Sequence, residues 1–165
     1  MPPELSPPFA EGEEGLLLTS EAFRGILLEI LGRGESIRFR ARGFSMHPFI
    51  SDGDLVTVGP PPARIATGDV VAVRRASDDK LLVHRVVVNL PGCLVTKGDA
   101  ATRPDEMAGE GRVIGQVRRV ERDGRAVRVG LGPERLLIAL LSRHGLLSPL
   151  VFHGRRVRAG LGRLA

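Results

Sequence analysis

The sequence predicts a mainly β protein, a folded antiparallel sheet or barrel with an amphipathic helix before it and helices after it. Three observations carry that reading. Between residues 36 and 131, short runs rich in Val, Ile and Leu are separated by turn clusters. The runs follow one another too closely for the helical crossovers that a parallel sheet needs. Outside this stretch, on both sides, the apolar period lengthens to that of a helix.

Each element follows from its residues. Residues 1–15 are acidic and Pro-rich with little to bury, and are expected to form a disordered tail. A helix is expected over 19–32, capped by Thr19 or Ser20, with Leu18 stapled onto Phe23. Its apolar face is Phe23, Ile26, Leu27, Ile30 and Leu31, spaced i, i+3, i+4, i+7 and i+8. Residues 36–42 alternate strictly and read as a strand with one wet face, and further strands are expected over 54–58, 69–75, 81–88, 94–97, 112–122 and 126–131. Pro133 and Glu134 suit a first helical turn, followed by Leu136, Leu137, Leu140 and Leu141 on one side, and Ser148-Pro149 suits the start of a second short helix. The organisation expected is a tail (1–15), a β domain with its leading helix (16–131), and a helical, basic extension (132–165).

Composition narrows the function classes. Aromatic residues make up 4% of the chain, with no Trp or Tyr, so the core must be built from Val, Leu and Ile. Nucleic-acid binding on stacking platforms is disfavoured for the same reason. The net charge is +5, yet all basic residues except Lys80 and Lys97 are Arg, a bias that genome composition explains as well as a ligand does. Cys93 is the single cysteine and lies in an apolar stretch, which reads as a buried core thiol. No pair of cysteines offers a metal site, and no cofactor is expected. The chain starts without a basic, apolar leader, and no apolar run approaches the roughly 18 residues a membrane span requires. A cytoplasmic location is therefore expected. The Leu-rich segment that ends in Arg155, Arg156, Arg158 and Arg163 suits either packing on the core or peripheral contact with an anionic membrane.

The residues with chemical potential lie in 43–120. Gly43-Phe44-Ser45-Met46-His47-Pro48 sets a serine between a glycine and a proline at a strand end, where its hydroxyl would be exposed. A serine hydroxyl needs a neighbouring base to become a nucleophile. His84 stands inside the apolar run Leu81-Leu82-Val83-His84-Arg85-Val86-Val87, an unusual place for an imidazole. Thr96-Lys97-Gly98-Asp99 follows, with Asp105 six residues beyond that aspartate. His47, His144 and His153 have no comparable setting.

The order of blocks resembles the signal peptidase family: Gly-x-Ser-Met-x-Pro, Gly53-Asp54, Gly68-Asp69-Val70-Val71, His84-Arg85-Val86, Thr96-Lys97-Gly98-Asp99 and Ile114-Gly115-x-Val117. It is most similar to the branch of the endoplasmic reticulum, archaea and some Gram-positive bacteria, because the usual bacterial branch has Lys where His84 stands. LexA-type repressors share Ser-Met-x-Pro and also use Lys. The resemblance implies a LexA/signal-peptidase-like antiparallel β fold and a serine endopeptidase acting on a peptide or protein, after small side chains. It implies Ser45 as nucleophile, His84 as general base and Asp105 as the acid that orients the imidazole. Asp99 is the alternative for that last role, since Ala100 and Ala101 replace the Asn pair common in the family. The Ser45 N–H is the expected oxyanion donor, and Phe44, Met46 and Ile50 are candidate walls of a shallow substrate pocket. No counterpart of the family's membrane anchor is expected in this chain. Two other functions fit the same pattern, a silent peptide-binding module and a self-cleaving LexA-like regulator.

Overall fold

The computed structural model describes residues 20–105, 107 and 109–147. The chain opens with helix α1 (Ser20–Gly32), and seven antiparallel strands follow it: β1 (Ile37–Arg40), β2 (Leu55–Gly59), β3 (Val70–Arg74), β4 (Leu81–Leu90), β5 (Cys93–Lys97), β6 (Val113–Arg122) and β7 (Arg125–Ala126). A single turn of 3₁₀ helix (Glu110–Arg112) leads into β6, and helix α2 (Arg135–Arg143) closes the described chain.

The strands form one open sheet in the order β1-β2-β6-β3-β4-β5, with β7 paired to β6. The barrel alternative is not realised, because β1 and β5 end the path and do not pair with each other. The β1 edge is four residues long and turns Arg38 and Arg40 outward, features that keep a sheet edge from pairing. Residues 126–131 were expected to form a full strand, but β7 ends at Ala126, with one further backbone bond from the Val127 N–H to the Val120 carbonyl. Beyond it the chain peels off to Gly130 (φ +108°), a left-handed conformation that glycine adopts without strain.

Helix α1 is in the core because its stripe is apolar. Phe23, Leu27 and Leu31 are almost fully buried, four residues apart, whereas Ile26 at the side of the stripe is 36% exposed. They pack with Phe39, Met46, Ile50, Val56, Val58 and Val120 in the larger core cluster. Gly115 in β6 makes this possible, since a Cβ there would lie 2.6 Å from Val58 and 2.9 Å from Leu31. The smaller cluster, centred on Val71, Val73, Val86, Leu94 and Val113, fills in around β3, β4 and β5.

Helix α2 docks with a different face from the one its leucines suggest. Ile138, Ala139 and Ser142 are buried, while Leu136, Leu137 and Leu140 are exposed. Polar contacts decide this. The buried Lys97 ammonium donates to the Ser142 carbonyl at 2.8 Å and to its hydroxyl at 3.2 Å. Turning the leucines inward would strand that charge in the core. Cys93 is half-buried rather than sealed in the core. The expected tail at 1–15, the cap candidate Thr19, the Leu18 staple, the second short helix and the Arg-rich end lie outside the described residues.

Candidate functional site

Ser45 sits in the turn region between β1 and β2. Backbone bonds from Ala41 to Asp54 (2.7 Å) and from Gly53 to Ala41 (2.9 Å) pinch the base of this excursion. Inside it, the Ser51 N–H donates to the buried Asp54 carboxylate, which also accepts two bonds from Arg122 at 2.9 and 2.8 Å. The Ser45 carbonyl accepts from the Ala100 N–H at 2.8 Å, tying the turn to the loop after β5. Gly98 makes this approach possible, since a Cβ there would lie 2.6 Å from the Ser45 carbonyl oxygen and 3.1 Å from His84 Nε2.

His84 reaches the same place from β4 and is 7% exposed. Its Nε2 lies 3.1 Å from Ser45 Oγ, and its Nδ1 lies 2.6 Å from Asp105 Oδ2. Thr96 donates its hydroxyl to the same carboxylate oxygen at 2.7 Å, and the Asp105 N–H donates to the Thr96 carbonyl at 2.8 Å. Burial works against a charge on Asp105, but the bonds from His84 and Thr96 outweigh it and hold the carboxyl below its ordinary value. An ionised carboxylate accepts hydrogen bonds and cannot donate them. The proton on His84 therefore belongs on Nδ1, which leaves Nε2 as acceptor for the Ser45 hydroxyl.

Asp99, the alternative partner of His84, is engaged elsewhere. Its two oxygens accept from Arg85 Nε and Nη2 at 2.8 and 2.7 Å, and both side chains are fully buried. Burial pushes the Asp99 carboxyl above its ordinary value, against the pull of that guanidinium. Arg85 also donates to the carbonyls of Gly68 and Gly130 and lies over the Phe49 ring, 5.4 Å from its centroid. One guanidinium thus fastens β4 to the loop after β5, to the turn before β3 and to the segment before α2.

A cavity of about 170 Å³ opens beside Ser45 and His84. Met46 and Ile50 line it, as expected from the sequence, whereas Phe44 is 55% exposed and is not among the lining residues. Sequence reasoning missed most of the wall: Phe23 of α1, Phe39 of β1, and Leu81 and Val83 of β4. The last two stand in the same apolar run as His84, which was a usable signal for them. Nothing in the sequence flagged Phe23, whose spacing marks it only as core. Gly98 and Thr96 were visible as parts of a block without a reason for either.

Among the described residues, no cluster of His, Cys, Asp and Glu could hold a metal ion, and no helix is long and apolar enough to cross a membrane. Comparison with curated proteins and with solved structures gave no match. The branch of signal peptidases that the motif order resembles therefore gains no support. A family model does match, over residues 19–127, from the start of α1 through β7, and that span contains Ser45, His84, Asp105 and the cavity. Its description is Peptidase S24-like, and the chain belongs to that family, within the wider superfamily of LexA and signal peptidase I.

Proposed function

We propose that the protein is a serine endopeptidase that cleaves a peptide or protein after a small apolar side chain. One observation carries the proposal: Ser45 Oγ, His84 and Asp105 form a continuous hydrogen-bonded chain of 3.1 and 2.6 Å. His84 Nε2 takes the hydroxyl proton as Ser45 Oγ attacks the scissile carbonyl. The ring then becomes an imidazolium, which the Asp105 carboxylate offsets. The Ser45 N–H meets the oxyanion. Collapse of the tetrahedral adduct breaks the C–N bond, and Nε2 returns the proton to the leaving amine. Water, deprotonated by the same imidazole, then hydrolyses the acyl ester.

Two features support a peptide as substrate. The cavity beside Ser45 is mostly apolar, with room for one apolar P1 side chain. Residues Leu81, Leu82, Val83 and His84 also pair with β3 on one side, while β5 pairs only with Arg85 and beyond. That half-free edge suits an extended backbone, which adds to a sheet through its own amide groups.

The test is a serine-directed acylating probe together with a peptide mixture whose P1 residue varies. The wild type should be labelled once and should cleave after small residues. Ser45→Ala should lose both labelling and cleavage, by several orders of magnitude, with an unchanged melting curve. Near wild-type turnover by the Ala variant would remove Ser45 from the chemistry. Following the intact mass of the protein alone detects the self-cleaving alternative, which would appear as a first-order, concentration-independent loss of mass.

A further inference from the structure

The cavity beside Ser45 has an unusual wall. Most of its lining comes from the sheet and the turn that carries Ser45, but Phe23 comes from α1. Phe23 is 3% exposed and meets Phe39 edge-on, with ring centroids 5.0 Å apart at 75°. The two rings fix each other, because an edge-to-face pair is held by geometry as well as by burial. The next residue, Arg24, donates from Nη1 both to the carboxylate and to the carbonyl of Asp79, each at 3.1 Å. Asp79 lies in the turn between β3 and β4, two residues before Leu81, which also lines the cavity. One turn of α1 therefore supplies a wall and fastens it to the turn that leads into β4.

We infer that Phe23 sets the size of the P1 side chain, so that α1 is a specificity element rather than only a cover for the sheet. The inference rests on the peptidase reading and adds the residue that limits its substrate. The Phe23 ring bounds the cavity of about 170 Å³ on the α1 side, so shortening it should enlarge that space in favour of a larger P1 side chain. Leu27, one helical turn on and fully buried, is not among the lining residues and should have no such effect.

Binding tests this separately from turnover. Two short peptides, alike except for a C-terminal alanine or leucine, mimic the acyl product and can be titrated calorimetrically into full-length Ser45→Ala protein. The alanine peptide should bind more tightly. Adding Phe23→Ala should move the alanine-to-leucine affinity ratio about 10-fold or more toward leucine, the range that one or two methylenes command in an apolar pocket. Phe23→Leu, which keeps the site apolar if the Ala variant fails to fold, should move it part of the way. Leu27→Ala should leave it unchanged. An unmoved ratio in a folded Phe23 variant, an equal shift in Leu27→Ala, or no binding of either peptide overturns the inference. Wild-type turnover with an unmoved ratio leaves the peptidase reading standing without this wall. A shifted ratio with no turnover leaves the wall standing and removes the peptidase.

Discussion

Consecutive residues of β4 each take an acid from the chain that follows β5. His84 meets Asp105, and Arg85 meets Asp99. Neighbours on a strand leave opposite faces of the sheet, so the two pairs are separated although their residues are adjacent. The first pair is partly open, with Asp105 side-chain exposure at 19%, and it ends at the Ser45 hydroxyl beside a cavity. The second is sealed, with no exposure on either partner, and it ends on backbone carbonyls and a phenyl ring. Both are a cation-capable side chain on a carboxylate. One reaches a serine hydroxyl beside a cavity, and the other ties the strand to the loops around it.

The largest effect should come from the open pair. His84→Ala should reduce cleavage by about a million-fold, as removing either member of a serine–histidine unit does elsewhere. Its melting temperature should fall less than that of an Asp99 variant, because Asp105 loses the His84 contact but keeps the Thr96 hydroxyl. A steep loss of stability with residual activity would mean that His84 is mounting and not machinery, and the contrast with Arg85 would fail.

The sealed pair should behave the other way. Asp99→Asn leaves the Arg85 charge buried without its counter-ion, which costs about 3–5 kcal/mol when one partner of such a pair is removed. The expected result is a large drop in the denaturant midpoint. Acylation of Ser45 should persist in whatever fraction remains folded. If instead the variant is stable and inactive, Asp99 belongs to the chemistry after all.

Much of this division was legible in the sequence, and the missing part has a definable cause. Short apolar runs between turn clusters marked six of the seven strands, and only β1 was marked by strict alternation. His84 stood out as an imidazole inside an apolar run, whereas Ser45 was singled out by the order of blocks that resembles the signal peptidase family. The choice between Asp99 and Asp105 could not be read, because both acids follow the same strand and only the register of β4 against β5 separates them. Arg85 pairs with Lys97 and Val86 with Thr96, which sets Thr96 toward Asp105 and leaves Asp99 to Arg85. The buried face of α2 was unreadable for a related reason. A lysine on β5 selects Ser142, and four leucines at helical spacing argue for the wrong side.

Acid titration should distinguish the open pair from its surroundings. The Asp105 carboxyl is held below its ordinary value of 3.8, so the folded state binds its proton less readily than the unfolded chain does. Its contribution to stability is therefore complete above the ordinary carboxylate range and disappears as pH falls through the lowered folded value. Asp105→Asn should melt below the wild type at pH 6, and the gap should close as pH drops below about 4. A gap that is the same at pH 6 and pH 3 would show that the carboxylate is not stabilised by its contacts with His84 and Thr96.

The smallest effect should come from a third pair, Arg24 with Asp79, which has the same chemistry as Arg85 with Asp99 in a wetter place. Here the side chains are 29% and 42% exposed, and Asp79 is also within 3.5 Å of Arg74 and 3.6 Å of Arg112. Water screens the attraction, and the neighbouring arginines can take over the carboxylate when Arg24 is gone. Arg24→Ala should therefore cost at most about 1 kcal/mol, the usual limit for an exposed ion pair, and the cost should shrink in high salt. The Asp99 variant should show no such salt dependence, because ions do not reach its site. The comparison is a pair of denaturation midpoints at low and high salt for each variant. If Arg24→Ala proves as damaging as Asp99→Asn, exposure is not what separates the two pairs. The fastening of α1 to the β3–β4 turn would then be as structural as the buried guanidinium itself.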